Sequence, residues 1–405
     1  MIFPELYVGI DISKLKHDVV IVNEDQQRIG RAFVIAEERK GYGLLTDKLD
    51  ALQHKHQTQR FLIGLEATSE YWKNLHHFLV QQSAAFLVTA LNPIQTRRWV
   101  EADLRRAKTD PIDAKDIACF MAVKKPEPSF VRPPALELIK DIDRQIYSFK
   151  KQNTMTVNKL RLELAKVAPE IERAIPSLTA QQVLALLQHY PTAEAITTAS
   201  QAELRQIRYG KKQWRLPINF INKMKSLAEN SIAYQTGPSA GTIVQALIER
   251  IVQGQHVIDS LKAKINEMYA TVKERPSLLT TIKGISPETA IILEAYIGDI
   301  NRFSNAKKIV AFFGMNPTVN KSGKSQKRES RLQKKGSGIV RHKLFMAMLN
   351  IIRHKIDPFY SYYKRLVDSG KPKLVAIAAA MRKLLVICYT ILKNQQSFDP
   401  KKCSS

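Results

Sequence analysis

The sequence predicts an α/β domain at the N-terminus, a long helical middle and a mostly α-helical C-terminal region. Three observations carry that prediction. Apolar runs at 6–11, 61–66 and 86–90 alternate with helix signals. Apolar residues then recur in steps of three and four over 139–149 and 244–272. Beyond Pro276 helical patterns resume around a strongly basic segment. The divisions fall at 1–130, at 131–275 with an insert at about 170–240, and at 276–405.

In the first part, "LYVGID" (6–11) reads as a buried strand ending on an acid. "HDVVIVNEDQQRIGRAFVIA" adds two strand-like runs around the turn at Asn23 to Gln27, and a helix is expected from Glu38 to Leu52. "FLIGLE" (61–66) is a second strand ending on an acid, a helix follows at 69–82, and "FLVTA" (86–90) stops at Asn92-Pro93. A meander followed by alternating helices and strands implies a mixed sheet.

In the middle, Ile139, Ile142, Ile146 and Phe149 mark one amphipathic helix. Val244 to Val272 mark another, with one break at Gly254. Such helices can pair antiparallel or across a dimer. The insert between them is punctuated by Pro176, Pro191, Pro217 and Pro238 and is expected to be mostly helical. "LLTTIKGISPETAIILEAYIGD" predicts helix, tight Gly284 turn, helix, and the tail "SFDPKKCSS" is expected to fray.

The chain has 405 residues, 44% hydrophobic, with 63 Lys and Arg against 37 Asp and Glu, a formal charge of +26. This excludes a disordered or fibrous class and points to a polyanionic partner. Residues 1–125 carry a net +2, 126–275 a net +7 and 276–405 a net +17, so the last third is expected to grip the polyanion. No membrane partner is expected, because Met1 to Ile10 lack the features of a leader and Leu374–Leu392 is interrupted by Arg382 and Lys383. Cys119, Cys388 and Cys403 are scattered, which predicts a reducing cytoplasm and no disulfides.

"KTDPIDAKD" (108–116) spaces Asp110, Asp113 and Asp116 three apart. One reading is a capped helix start, with Asp110 as N-cap, Pro111 at N1 and Asp113 at N3. Another has Asp110 and Asp113 facing one point, joined by Asp11 and Glu66 from the ends of two strands, with Asp116 a bystander. Carboxylates about 4 Å apart repel by roughly 4 kcal/mol at an effective dielectric near 20. Such a cluster therefore needs a cation, and hard oxygen ligands select Mg²⁺ or Mn²⁺, which suit phosphodiester cleavage.

The segment 320–343 holds nine Lys or Arg and one Glu. Lys321, Lys324, Lys327, Arg328, Arg331, Lys334, Lys335, Arg341 and Lys343 are candidate phosphate-neutralising residues, as are Arg97 and Arg98. Trp99 is open to base stacking or to packing. Ser322, before Gly323, could be an ordinary loop serine or a nucleophile; Ser325, Ser330 and Ser337 compete, and spacing does not choose.

Taken together, these segments resemble the DEDD transposases of the insertion sequence one-ten family, bridge-RNA-guided recombinases related to Piv-type pilin-gene invertases. The resemblance rests on "YVGIDISK", "GLEATSEYW", "NPIQTRRW", "KTDPIDAKDIA", "IKGISPETAIILEAYIGDINRFSNAKKIVAFFGMNPTVNKSGKS" and "AIAAAMRKLLVICYTILK". It implies a RuvC-like (RNase H fold) N-terminal domain in which Asp11, Glu66, Asp110 and Asp113 hold divalent metal. It implies Ser322 as nucleophile, forming a transient 5′-phosphoserine link, and a middle coiled coil joining subunits into dimers and tetramers. It further implies donor and target double-stranded DNA, a noncoding bridge RNA, and a bacterial, nucleoid-associated protein. The chain departs from the family's Gly-Ile-Gly turn at Gly284-Ile285-Ser286, which weakens backbone phosphate binding there. Two other classes fit the composition: a RuvC-like junction nuclease that uses water and no serine, and a non-enzymatic nucleic-acid-coating protein.

Overall fold

In the computed structural model, residues 5–68, 70–102, 113–273, 275–317, 332 and 336–400 are described. The chain divides into two compact units, Met1–Val131 and Arg132–Ser405.

The first unit is built on a five-stranded sheet of β1 (Glu5–Ile12), β2 (Lys16–Val22), β3 (Phe33–Ala36), β4 (Arg60–Glu66) and β5 (Phe86–Leu91), in the order β3-β2-β1-β4-β5. β1, β2 and β3 form an antiparallel meander; β4 runs parallel to β1, and β5 parallel to β4. The central strands read as unbroken apolar runs because both faces are covered. Leu6, Val8, Ile10, Ile63 and Leu65 pack under the helices α1 (Arg39–His56) and α2 (Trp72–Gln82). Tyr7, Val20, Val22 and Leu62 pack on the other face, under α4 (Ala114–Lys124), with α3 (Pro93–Ala102) beside it.

The seat of α4 is set by two glycines. Gly9 on β1 pairs with Gly64 on β4 in the parallel register. A Cβ at Gly9 would stand 2.0 Å from the Ala114 carbonyl oxygen and 2.3 Å from the Ala118 nitrogen, and one at Gly64 would stand 2.7 Å from Met121 Cγ. At Gly9 the helix backbone therefore lies directly against the strand, and at Gly64 the Met121 and Ile117 side chains fill the space a Cβ would take.

The second unit is mostly helical. α5 (Pro134–Val167) and α11 (Thr242–Val272) lie side by side within the chain. Gly254 interrupts the apolar spacing of α11 but not the helix. It is a close approach, where a Cβ would meet Asn153 Oδ1 of α5 at 2.2 Å. One end of this pair, with Leu160, Leu164, Val244 and Ile248, packs with the insert. The insert comprises α6 (Pro169–Ala174), α7 (Gln181–His189), α8 (Ala193–Thr198), α9 (Gln201–Gln206), α10 (Ile218–Glu229) and a hairpin of β6 (Arg208–Tyr209) and β7 (Trp214–Arg215). The other end, with Ile139, Ile146, Ile258 and Ile265, enters a second core. That core also receives α12 (Pro287–Ile297), α13 (Ala306–Phe312), α14 (Gly338–Arg353), α15 (Phe359–Asp368) and α16 (Lys373–Asn394).

α16 is the one helix among the described residues long and apolar enough to cross a membrane, and half of that stretch is buried in the protein. Cys119 and Cys388 are buried. The tail is anchored as far as Phe398, which stacks on Phe359 and whose N–H donates to Thr281 Oγ1 at 2.9 Å, in place of the fraying expected from its polarity. At the Gly284 turn (φ +100°), Ser286 takes the N-cap of α12 and accepts from Thr289 N, so the serine of "GIS" has a local structural use.

The glycine seat predicts unequal costs at two paired positions. Gly9→Ala meets helix backbone and should lower full-chain stability at or above the top of the usual overpacking range, about 3 kcal/mol. Gly64→Ala meets the Met121 and Ile117 side chains first, which shift more readily than backbone, so it should cost less, about 1–2 kcal/mol. Denaturant unfolding of the two variants checks the order.

Candidate functional site

Asp11 and Glu66 occupy neighbouring strand ends. The register pairs Ile10 with Leu65, so Asp11 and Glu66 follow as the next positions of β1 and β4. Both lie two residues beyond the paired glycines, on the face that α4 covers. Asp113 is the residue immediately before α4 and comes to the same edge, close enough for its charge to act on Asp11.

The helix start corrects the expected cap. Asp113 is the N-cap: its Oδ1 accepts from Asp116 N at 2.9 Å, and the Asp116 side chain accepts from Asp113 N at 3.5 Å. This capping box needs a side-chain acceptor at both the first and the fourth position, which Asp113 and Asp116 supply. Asp116 is thus a structural partner of the site and not a bystander. Asp110 and Pro111 lie outside the described residues.

Burial, and behind it the charges of Asp18 and Asp113, push the Asp11 carboxyl above its ordinary range. Burial likewise raises Glu66, and Asp11 adds to it, against a hydrogen bond from Thr96 and the charge of Arg97. The Thr96 hydroxyl donates to Glu66 Oε1 at 3.2 Å in a buried contact. Asn92 sets the start of α3, its Oδ1 accepting from Ile94 N, and so places Thr96 against Glu66. The turn after Asp11 is held from behind: Ser13 N donates to Nδ1 of the buried His17, whose Nε2 lies 2.5 Å from Glu37.

Two of these residues escaped the sequence reading. Asp18 stands directly opposite Asp11 across the antiparallel pair. The hairpin register was the signal available for it, since like charges facing each other across strands are unfavourable. Thr96 carries no sequence signal of its own, because it is brought to Glu66 only by the placement of α3.

Among the described residues no group of three or more His, Cys, Asp or Glu converges on a metal position. The donor set nevertheless fits a hard divalent cation in kind. It is all carboxylate oxygen, and its members raise one another's proton affinity, a cost that a cation between them removes.

The other expected residues are placed as follows. Arg97 and Arg98 are exposed on α3. Trp99 packs edge-on against Phe120, centroids 5.8 Å apart, which is the packing alternative. Arg341 donates to the carbonyls of Phe313 and Gly336, each at 3.1 Å, and ties the start of α14 to the end of α13. Lys343 points inward and pairs with the buried Asp143 at 2.8 Å and with Glu288 at 3.6 Å. Lys343 is therefore engaged inside the protein, whereas Arg341 is half-buried and held by two backbone carbonyls. Ser337 is the N-cap of α14. Ser322, Ser325, Ser330, Lys321, Lys324, Lys327, Arg328, Arg331, Lys334 and Lys335 lie outside the described residues.

Comparison with known proteins finds family matches over two segments of the chain. A family model for the DEDD transposases of IS110, described as Transposase, matches residues 8–169. A second, described as the Transposase IS116/IS110/IS902 family, matches residues 276–364. The chain is 24% identical over 395 residues to the pilin gene-inverting protein of Moraxella lacunata, covering 98% of each chain. It is 24% identical over 332 residues to the 43.6 kDa protein of insertion element IS110 from Streptomyces coelicolor, covering 80% of each. The chain belongs to the IS110 family of transposases.

The cap makes one prediction. Asp113→Asn keeps a side-chain acceptor for Asp116 N and should hold stability within a few tenths of a kcal/mol, whereas Asp113→Ala should lose about 1 kcal/mol. Thermal unfolding of the pair separates capping from any other duty of this carboxylate.

Proposed function

We propose that this chain is the recombinase of a mobile insertion sequence, cutting and rejoining DNA strands through a covalent 5′-phosphoserine at Ser322. The observation that carries the reading is the placement of Asp11 and Glu66 on adjacent strand ends, with Asp113 close enough for its charge to act on Asp11, inside a segment that the DEDD family model matches. Asp110 would complete the set. A RuvC-like (RNase H fold) identity for the first unit is supported by its meander of three strands followed by two parallel ones. The second family model covers the "NKSGKS" segment with Ser322.

When bound by Asp11, Glu66, Asp110 and Asp113, Mg²⁺ or Mn²⁺ supplies charge neutralisation at the scissile phosphate. The chain's own part is transesterification. Ser322 Oγ attacks the phosphorus, the bond to the 3′ oxygen breaks, and the serine proton ends on the departing 3′ hydroxyl. The 5′ phosphate stays on the serine until another strand's 3′ hydroxyl attacks it, so bond count is conserved and no energy source is consumed. The lysines and arginines of 321–335 would hold the backbone in place. Thr96 holds Glu66 by a hydrogen bond and, with the charge of Arg97, opposes the rise that burial imposes on it, and the Asp113 cap fixes one carboxylate to a helix end.

Donor and target double-stranded DNA would be selected by a noncoding bridge RNA, and α5 with α11 would supply the coiled coil of a dimer assembling to a tetramer. Inversion is a second outcome of the same chemistry. It is favoured by the 98% coverage shared with a protein named for inverting a pilin gene.

Denaturing gels of reactions on labelled DNA test the reading. A protein–DNA adduct is expected with the wild type and is expected to fall at least about a thousandfold with Ser322→Ala. Asp11→Ala, Glu66→Ala and Asp113→Ala should lose cleavage yet keep DNA binding. An adduct that survives Ser322→Ala but disappears with Ser325→Ala would overturn the nucleophile. Cleavage by hydrolysis with no adduct would favour a water-using nuclease.

A further inference from the structure

The insert, which neither family model reaches, carries a surface that the carboxylate and serine chemistry leaves unused. Its β6–β7 hairpin turns through Gly210 (φ +72°) and Gln213 (φ +52°). From Arg205 to Arg215 the chain holds five cations and no acid, and all five cations are exposed. Trp214 is 57% exposed. Its ring neighbour among the described residues is Tyr209 of the facing strand, edge-on at 6.4 Å. The other two tryptophans differ: Trp72 and Trp99 are half-buried against His76 and Phe120.

Tyr209 also lines a groove of about 1300 Å³ between the hairpin and the helices α5, α7 and α11. Arg208 and Lys211 stand on its hairpin side, and Asn153, Gln181 and Gln188 line its helical walls. Amides both donate and accept, which is what base edges require. The two acids on the far wall are each hydrogen-bonded by an amide: Gln253 Nε2 to Glu249 and Gln255 Nε2 to Asp259, both at 3.0 Å. A phosphate backbone is therefore attracted to the hairpin side and repelled from the far side, while bases find amides and apolar wall between.

We infer that the β6–β7 hairpin and the adjoining groove bind an unpaired nucleic-acid strand. The phosphates lie against Arg208, Lys211 and Lys212, and a base stacks on Trp214. Single strands suit this surface because their bases are free to leave the stack; in a duplex the π-faces that Trp214 needs are already covered. The inference goes beyond the recombination reading and stands whichever residue attacks DNA.

The test uses the full chain with a short labelled oligouridylate, an oligothymidylate and a duplex of the same length, read by fluorescence anisotropy over a salt series. Trp214→Ala should weaken single-strand binding about tenfold and leave the duplex unchanged, and Trp214→Phe should restore most of the loss. The double variant Lys211→Gln with Lys212→Gln should reduce the salt slope for single strands by about 1.4. Ultraviolet cross-linking should map to the segment 206–215. The ratio of the two oligonucleotides' affinities tells whether the strand seated here is RNA or DNA. Trp214→Ala binding single strands as the wild type does, or losing single strand and duplex equally, would overturn the inference. The exposure of Trp214 keeps these variants foldable, and unchanged melting temperatures check that.

Discussion

The contact between α4 and the bare backbone at Gly9 and Gly64 is the constraint from which the first unit's functional edge follows. Two strands in parallel register bring their acids level, but level acids on a sheet edge are common. What makes this edge distinctive is the depth at which a helix arrives over it. Without side chains at the paired glycines, Ala114 and Ala118 settle onto the strands, and the residue before the helix is delivered beside Asp11. The apolar contacts of Tyr7, Leu62, Ile117 and Met121 then hold the helix at that depth. The mutual repulsion of the acids is borne by this packing.

Much of this was legible in the chain, and the reason differs by element. β1, β4 and β5 are continuous apolar runs bounded by acids or by Asn-Pro, so length and punctuation locate them within a residue or two. The convergence of Asp11 and Glu66 followed from strand ends alone. The start of α4 did not. "DPIDAKD" offers two overlapping three-residue spacings of acids with a proline between them, and local rules favour the first, whereas the fold uses the second. Local cap rules do not weigh the packing of Ala114 and Ala118 on Gly9, which accompanies the second cap. Lys343 misled in the opposite direction. Cations in a basic run are normally solvated, yet helical spacing turns Lys343 toward Asp143 and Glu288, where its charge offsets buried acid. The β6–β7 hairpin was missed because two-residue strands leave no alternating pattern to detect.

The charge of the protein therefore does several jobs. Part of it is internal: Lys343 neutralises a buried carboxylate, and Arg341 ties two helices through backbone carbonyls. Part is presented on α3 and on the hairpin, where cations stand exposed. Net charge identifies the kind of partner, but only the packing of each cation tells which of them are free to meet it.

The long helix pair has a mechanical consequence. α5 and α11, about 50 Å and 46 Å long at 1.5 Å per residue, are clamped at opposite ends by two separate cores. They approach closely at Gly254 and Asn153, where a Cβ would meet Asn153 Oδ1 at 2.2 Å. The pair is thus a beam, and a twist of one core against the other is carried along it. A side chain at position 254 would wedge the two helices apart along that beam, so the glycine there keeps the two ends of this unit joined through close contact.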